Sequence, residues 1–210
     1  IVERWLARTG SQADCIRRPR AIGEAAHLDD MLKACGDADV LVLASDAVPF
    51  PGWANQLVAC AARDPAIATA TPWCNAGETA SWPRVGEVLP VPDEPLRLAR
   101  AAASLPPHHP ELPAAVNHAV FLRGNARRKA GGLDAASYAS WYAALIDLSL
   151  RMAGLGWRNV LCETAFVARG GEGAPLGDDI ETLGVRWPTW HARLAQFLMN
   201  DPLHALRASL

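Results

Sequence analysis

Residues 40–46 read VLVLASD, an apolar run that ends in a serine and an aspartate. The run from Val40 to Ala44 follows a helical pattern and is apolar on both faces. This combination predicts a central parallel strand that is covered on both sides. Pro49 and Pro51 follow it and predict that ladder pairing stops there. Asp46 would then lie at the carboxyl end of a buried strand, where open α/β sheets bind their ligands.

Asp46 has two interpretations at this position. A carboxylate there is costly if it is left unpaired, so it needs a metal ion, hydrogen-bond donors or water. Alternatively, Asp46 closes a turn or caps the helix that begins near Gly52. The spacing alone does not decide between a ligand-binding role and a structural role.

The rest of the chain alternates between helical and strand-like periodicity, which predicts an α/β architecture. A domain over residues 1–186 is expected to be followed by an amphipathic helical tail, 187–210, that is interrupted at Pro202. A proline-rich segment over 75–113 predicts a long loop, and a glycine-rich segment covers 169–179. Helices are predicted over 1–9, 23–35, 52–63 and 138–154, and further strands over 14–18, 67–71, 115–123 and 159–168.

Composition excludes several classes of protein. The chain has 210 residues, half of them hydrophobic and 20% charged, so it has enough apolar residues for a buried core. Its net charge of −2 does not provide the attraction on which nucleic-acid binding depends. No apolar run approaches the roughly 20 residues that span a bilayer, and no secretory signal opens the sequence. The five cysteines are scattered and never form a C-x-x-C pair, which favours reduced thiols and a cytoplasmic location.

Two blocks of the sequence resemble a known family. Residues 39–57, DVLVLASDAVPFPGWANQL, are similar to the central strand and following helix of family 2 inverting glycosyltransferases, which have the GT-A fold. The second block resembles the acceptor-side region of that family, and the order and spacing of both blocks agree with it over residues 20–171. The second block consists of Val120–Arg123, Gly131–Asp134, Ile146–Arg151 and the segment that ends at Trp157-Arg158.

The resemblance implies a fold and a reaction. The fold would be a Rossmann-like GT-A domain with a mixed, mainly parallel sheet flanked by helices. Nothing here matches the family's nucleotide-binding opener, so either the first strands of that fold would be lacking or the nucleotide pocket would be only half built. The reaction would move a sugar from a nucleotide-diphosphate donor to a hydroxyl of a glycan or another acceptor, with inversion. A Mn²⁺ or Mg²⁺ ion at the strand-end carboxylate would neutralise the leaving group, and a second carboxylate would take the acceptor's proton.

The same resemblance assigns roles to particular residues. Asp46 would bind the metal ion or the diphosphate, and Asp134 and Asp147 would be the catalytic carboxylates near the acceptor. Arg169, with Gly170 and Gly171, would lie over the phosphates.

The sequence departs from the family pattern at all three motifs. The first acidic position of the metal motif is Ala44, and the positions of the acidic pair that commonly includes the base are Ala144 and Leu145. Asp147 is two residues further along the helix, which turns it about 200° away. Many members have a histidine where this chain has Arg169.

These departures leave alternatives open. Arg169 could replace the metal ion by pairing with a diphosphate, or it could be a solvated surface arginine. The domain could be a catalytically inactive GT-A-like domain that binds a nucleotide, a glycan or a protein. In that case Asp147 and Arg151 could be a structural i,i+4 pair.

Other candidates also carry two interpretations. Asp178 and Asp179 could bind a metal ion or cap the next helix. His118 could contact a sugar hydroxyl or be a structural histidine. The apolar stripe of the tail could dock on the inner face of a membrane, but packing against the domain or a second subunit is favoured, which predicts a homo-oligomer through this helix. The stripe consists of Trp187, Trp190, Leu194, Phe197 and Leu198.

Overall fold

The computed structural model describes residue 8 and residues 16–210. The predicted helix over 1–9 and the start of the predicted strand over 14–18 therefore lie outside the described residues, apart from residue 8. Residues 16–18 are described and form no strand. The helices are α1 (Glu24–Ala34), α2 (Trp53–Arg63), α3 (Pro95–Ala103), α4 (Gly124–Lys129), α5 (Trp141–Gly154), α6 (Asp179–Arg186), α7 (Trp190–Asn200) and α8 (His204–Ala208). The strands are β1 (Val40–Leu43), β2 (Ala47–Pro49), β3 (Ile67–Trp73), β4 (Ala119–Leu122) and β5 (Arg158–Arg169).

The five strands form one mixed sheet in the order β1-β4-β3-β5-β2. The prediction of a mainly parallel sheet is wrong, because only the pairing of β3 with β5 is parallel and the other three pairings are antiparallel. Hydrophobic periodicity identifies strands but not their direction. The long excursion between β3 and β4 brings the chain back so that β4 runs against both of its neighbours. As a result β1, β3 and β5 run the same way, and their carboxyl ends lie at one edge of the sheet.

Strand β1, the apolar run that precedes Asp46, lies at the end of this sheet. Within the described residues β1 pairs only with β4, and the pairing is antiparallel, so the prediction of a central parallel strand is wrong. Its two faces are nevertheless covered. Val40 and Val42 pack against the cluster that contains α5, while Leu41 packs against the cluster that contains α2. Covering both faces produces the same apolar run in an end strand as in a central one.

The segment after Asp46 contains a strand where the prolines predicted none. Ala47–Pro49 pairs with the end of β5, and Ala47 lies opposite Arg169. Proline is tolerated there because β2 is a short strand at the end of the sheet. This pairing brings the Asp46 turn beside the last residue of β5.

The proline-rich segment over 75–113 is not a continuous loop. It contains the short 3₁₀ helix Glu78–Ala80 and helix α3, which begins at Pro95. Proline is favoured in the first turn of a helix because its nitrogen needs no hydrogen-bond partner there. The many prolines therefore predicted a loop, although one of them, Pro95, is the first residue of a helix.

Helix α5 is the central helix of the domain. Ten of its 14 residues are buried, and the eight hydrophobic ones pack with residues of α1, β4 and α6 in the largest apolar cluster. Trp190 of α7 belongs to the same cluster, and Leu203, just before α8, belongs to a second one. The tail therefore contributes side chains to the cores of the fold, and it breaks between α7 and α8 at Asp201-Pro202, as predicted. Its predicted role in self-association stays a prediction. Within residue 8 and residues 16–210, no helix has both the length and the apolar character needed to cross a bilayer.

Gly124 lies against the backbone of the segment before β1, and its substitution is a test of the packing. A Cβ on Gly124 would lie 1.9 Å from the carbonyl oxygen of Asp37 and 2.6 Å from its carbonyl carbon. We expect Gly124→Ala to lower the free energy of unfolding by about 2 kcal/mol, or roughly 4–8 °C in Tm for a chain of this size. The matched control is Gly154→Ala, where an added Cβ would meet nothing within 4 Å. Thermal unfolding that shows no difference between the two variants would contradict the described contact.

Candidate functional site

The polar residues of interest lie where the strands of one direction end. Asp46 follows β1, Asn75 follows β3 and Arg169 is the last residue of β5. Asn117 comes two residues before β4, which runs the opposite way and therefore begins at this edge. The sheet thus brings four side chains from distant parts of the sequence to one place.

Arg169 is the centre of this group. Its Nε donates to both carboxylate oxygens of Asp46, at 2.9 and 2.8 Å, and its Nη1 donates to Oδ1 of Asn117 at 3.0 Å. The side chain of Asn75 fixes the Arg169 backbone, because its Oδ1 accepts from the Arg169 N–H and its Nδ2 donates to the Arg169 carbonyl, both at 2.8 Å. The Arg169 side chain is only 10% exposed. The Arg169 side chain is therefore nearly buried and fixed by hydrogen bonds, and Arg169 is not a solvated surface residue.

Asp46 closes a turn and also takes part in the site. Its carbonyl accepts from the N–H of Gly170 at 3.3 Å, and an added Cβ on Gly171 would lie 3.8 Å from its Oδ2. The Asp46 side chain remains 42% exposed. The structure thus brings together Asp46, Arg169, Gly170 and Gly171, the four residues that the sequence assigns to the diphosphate.

A cavity of about 200 Å³ opens on the Asp46–Arg169 pair. Its walls include Trp141 at the start of α5 and Glu24 and His27 of α1. Arg169 lines this cavity, and its side-chain hydrogen bonds to described residues come from Nε and Nη1, which leaves the N–H groups of Nη2 for a ligand. A second cavity of about 410 Å³ shares Glu24 and His27 with the first. The two neighbouring cavities are together called here the Arg169 groove, and the walls of the second include Arg18 and Arg20.

The side chains around Asp46 do not fit a divalent cation. Both oxygens of Asp46 accept from the Arg169 guanidinium, whose positive charge opposes a bound cation. Across the described part of the chain, no three histidine, cysteine, aspartate or glutamate side chains are grouped so that they could hold a metal ion. The described residues around Asp46 therefore do not supply the donor set that the predicted metal role requires.

Asp147 lies in a different cluster from Asp46. It is fully buried, and its carboxylate accepts from Nε of Arg151 at 2.8 Å and from Nε1 of Trp187 at 2.9 Å. Nε of Arg186 lies 3.3 Å from its Oδ1. The i,i+4 pair with Arg151 that the sequence left open is thus present, and Asp147 does not line the cavity at Asp46.

Asp134 belongs to the same cluster as Asp147. Its Oδ2 accepts from Nη1 of Arg186 at 2.6 Å, and its Oδ1 accepts from the N–H of Ser137 at 3.1 Å. Burial opposes ionisation, but the bonds from Arg186 and Ser137 outweigh it and lower the pKa of Asp134. Arg186 therefore joins the two predicted catalytic carboxylates, and the residues lining the cavity at Asp46 include neither of them.

Two other candidates have structural partners. His118 is fully buried, its Nε2 lies 2.9 Å from the carbonyl oxygen of Pro72, and burial lowers its pKa to about 3. Asp179 does not cap its own helix, since its carboxylate accepts from the N–H groups of Ala139 and Ser140 just before α5, at 2.9 and 3.0 Å. Asp178 is the N-cap residue of α6 and makes no side-chain capping bond.

Sequence reasoning missed several groups at this site. The sequence analysis does not identify Asn75 and Glu24, which lie near Arg169. It also does not identify Glu78 and Tyr142, which line a smaller cavity. A usable signal was present for Asn75 and Glu78, because both follow the predicted strand over 67–71 at the edge where ligands bind. Glu24 and Tyr142 lie on helices, and no local pattern marks them.

The comparisons with known proteins give one line of evidence. No protein-family model matches the sequence, and a search of curated proteins finds no match. Among solved structures, the crystal structure of GalNAc-T7 with UDP, GalNAc and Mn²⁺ is similar, with a TM-score of 0.64 and 13% sequence identity. The match covers 90% of this chain and 39% of that one, so this chain spans about two fifths of the other's length. Together with the sheet order, this likeness shows that the chain has a GT-A-like fold.

Proposed function

We propose that this domain binds a nucleoside-diphosphate sugar in the Arg169 groove, with the diphosphate on Arg169. The observation that carries the proposal is the free Nη2 of an arginine that is otherwise fixed by Asp46, Asn117 and Asn75. A guanidinium held in one orientation loses little entropy when it binds phosphate oxygens, and it can donate to them in fixed geometry. The remaining groove extends toward Arg18 and Arg20, which gives room for the nucleoside.

The GT-A-like fold supports a sugar nucleotide over other phosphate ligands. The similar structure holds UDP and GalNAc together with Mn²⁺. In this chain the positive charge beside Asp46 comes from Arg169, so we propose that binding is independent of a metal ion. Gly170 and Gly171 carry no side chains that would separate the loop from the phosphates.

The complete reaction that we propose is the family 2 reaction, transfer of the sugar to a hydroxyl acceptor with inversion. The negative charge that develops on the departing diphosphate is stabilised by Arg169. The acceptor oxygen attacks from the face opposite the diphosphate, which inverts the anomeric carbon. The second candidate is a catalytically inactive domain that only binds the nucleotide sugar. It is favoured by the cluster around Arg186, which holds both Asp134 and Asp147 away from the cavity at Asp46.

Nucleotide-dependent thermal stabilisation tests the binding proposal. UDP, GDP, dTDP and CDP are each added to the chain, once in EDTA and once with Mn²⁺. A nucleoside diphosphate at 100 times its Kd adds about 2.7 kcal/mol to the free energy of unfolding, or roughly 5–10 °C in Tm. We expect such a rise with one of the four in EDTA and no rise with the corresponding nucleoside. A chain that none of the four stabilises would contradict the proposal.

A further inference from the structure

A small cavity is lined in part by Asn117, the residue that also accepts a hydrogen bond from Arg169. Its volume is about 10 Å³, which is close to the space that one water molecule or one hydroxyl oxygen occupies. Its polar walls are Glu78 and Thr79 of the 3₁₀ helix, Asn117, and Tyr142 of α5. The remaining walls are apolar: Ala114, Ala115, Val116, Ile146 and Trp190.

One polar group in this cavity has no partner. Oγ1 of Thr79 is buried and accepts or donates no hydrogen bond within the described residues, and Thr79 itself is only 2% exposed. A buried hydroxyl left without a partner costs about 1–3 kcal/mol. The cavity therefore has the size and the unmet hydrogen-bonding capacity for one oxygen atom of a ligand.

Glu78 contributes a carboxylate to the wall of the same small cavity. Its Oε2 accepts from the hydroxyl of Tyr142 at 2.8 Å, and its Oε1 makes no hydrogen bond to a described residue. The backbone of Glu78 has φ 49°, a left-handed conformation that is uncommon for a residue other than glycine. Such strain persists where the surroundings hold a residue in place, and it is concentrated at functional sites. Glu78 is partly exposed, so an acceptor can approach it from solvent.

Asn117 connects this cavity with the Arg169 groove. It lines the small cavity, and its Oδ1 accepts from Nη1 of Arg169. The loop after β5 lies directly over it, since a Cβ on Gly173 would be 1.9 Å from Nδ2 of Asn117. Asn117 therefore belongs to both places, so a sugar on a diphosphate at Arg169 would lie one side chain away from the cavity that Glu78 lines.

The charged and titratable groups that face Glu78 are Tyr142 of α5 and Glu172 of the loop after β5. Burial raises the pKa of Glu78, and the negative charge of Glu172 raises it further, while the bond from Tyr142 opposes both. Burial likewise raises the pKa of Glu172. A carboxylate with a raised pKa accepts a proton more readily near neutral pH than an ordinary one.

We propose that Glu78 is the general base of the transfer reaction, supplied by the loop after β3 in place of the acidic pair that is missing at 144–145. The inference rests on the proposed function. The Glu78 carboxylate takes the proton of the acceptor hydroxyl, and the acceptor oxygen forms its bond to the anomeric carbon. The bond from that carbon to the diphosphate oxygen breaks, and its electron pair leaves with the nucleoside diphosphate. Thr79 and Tyr142 position the acceptor oxygen and the carboxylate.

The test measures nucleoside-diphosphate release from UDP-, GDP-, dTDP- and CDP-sugars, with water as the acceptor, between pH 5 and 9. Loss of a general base costs roughly 10²–10⁴ in rate. We expect Glu78→Gln to lower kcat at least about 100-fold, to leave the KM for the donor within threefold, and to abolish the rise of kcat with pH. Tyr142→Phe keeps the carboxylate, so it should retain the rise of kcat with pH. The rise should move to higher pH, because the hydroxyl whose hydrogen bond lowers the pKa of Glu78 is lost. Glu172→Gln is the matched control carboxylate and should change kcat by less than about tenfold.

The possible failures are distinguishable. A wild-type chain that no nucleoside diphosphate stabilises overturns the proposed function and this inference with it. A chain that binds the donor but releases no nucleotide under any condition overturns the inference and supports the inactive domain. Turnover by Glu78→Gln within threefold of wild type, with an unchanged pH profile, overturns the assignment of Glu78 while leaving donor binding intact.

Discussion

Arg169→Ala is expected to weaken nucleoside-diphosphate binding by roughly 10- to 100-fold, because hydrogen bonds to a charged group contribute about 1.5–3 kcal/mol. The substitution removes a guanidinium that lines the cavity and also releases Asn117 and Asp46. Titration calorimetry in EDTA, with the nucleoside diphosphate that stabilises the wild-type chain most, measures the loss. Arg169→Lys is the matched control. It keeps the charge but not the forked donor geometry, so it should recover only part of the affinity.

Asp46→Asn separates the arginine site from a metal site. If Arg169 binds the diphosphate, loss of the Asp46 charge leaves the guanidinium free, and binding in EDTA should stay the same or become tighter. If Asp46 instead holds a metal ion that bridges to the diphosphate, the same substitution should abolish binding that Mn²⁺ supports. A strong loss of Mn²⁺-dependent binding in Asp46→Asn would contradict the role that we give to Arg169.

Asp147→Ala is expected to destabilise the fold by about 3–5 kcal/mol, the usual cost of removing one partner from a buried ion pair. The substitution leaves the Arg151 guanidinium, which is 17% exposed, without its carboxylate, and it removes the acceptor for Trp187. For a chain of this length the fall in Tm is roughly 6–20 °C. Thermal unfolding of the unliganded variant measures it.

Asp134→Ala is the control for this prediction. Asp134 shares Arg186 with Asp147 but is 26% exposed, so its removal should cost only about 1 kcal/mol. The sequence resemblance assigns catalytic roles to both carboxylates, and the comparison tests that assignment. Asp147→Ala with the wild-type Tm but without nucleotide-sugar turnover would show that Asp147 is catalytic and that its ion pairs are incidental.

Outside the proline-rich segment, the short elements β2, α4 and α6 were not predicted. The other described helices and strands there could be predicted because apolar periodicity follows directly from burial. The segment around Val40 is an example. Both of its faces are covered, so its residues are apolar, and this pattern correctly predicted a strand that ends before Asp46. The direction of that strand could not be read in the same way. An end strand paired on one side and a central strand paired on both carry the same side chains when both faces are covered.

The residues predicted to bind the diphosphate and the predicted catalytic residues differ in how far the sequence could place them. Asp46 and Arg169 come together because each ends a strand of the same direction, and a strand end is visible in sequence. Asp147 lies inside a helix, and its environment depends on Arg186 and Trp187, some 40 residues later in the chain. The position of Glu78 could not be predicted from the sequence, because it depends on a single 3₁₀ turn within a segment whose sequence predicts a loop.

The most direct test of diphosphate binding by Arg169 is a crystal structure of this chain, grown in EDTA with the nucleoside diphosphate that binds best. The measurement is the position of the diphosphate. We expect a diphosphate oxygen about 3 Å from Nη2 of Arg169, the distance of a hydrogen bond, with the nucleoside in the groove beside α1. A nucleotide bound elsewhere on the chain, or one that binds only when a metal ion on Asp46 holds its phosphates, would contradict the proposal.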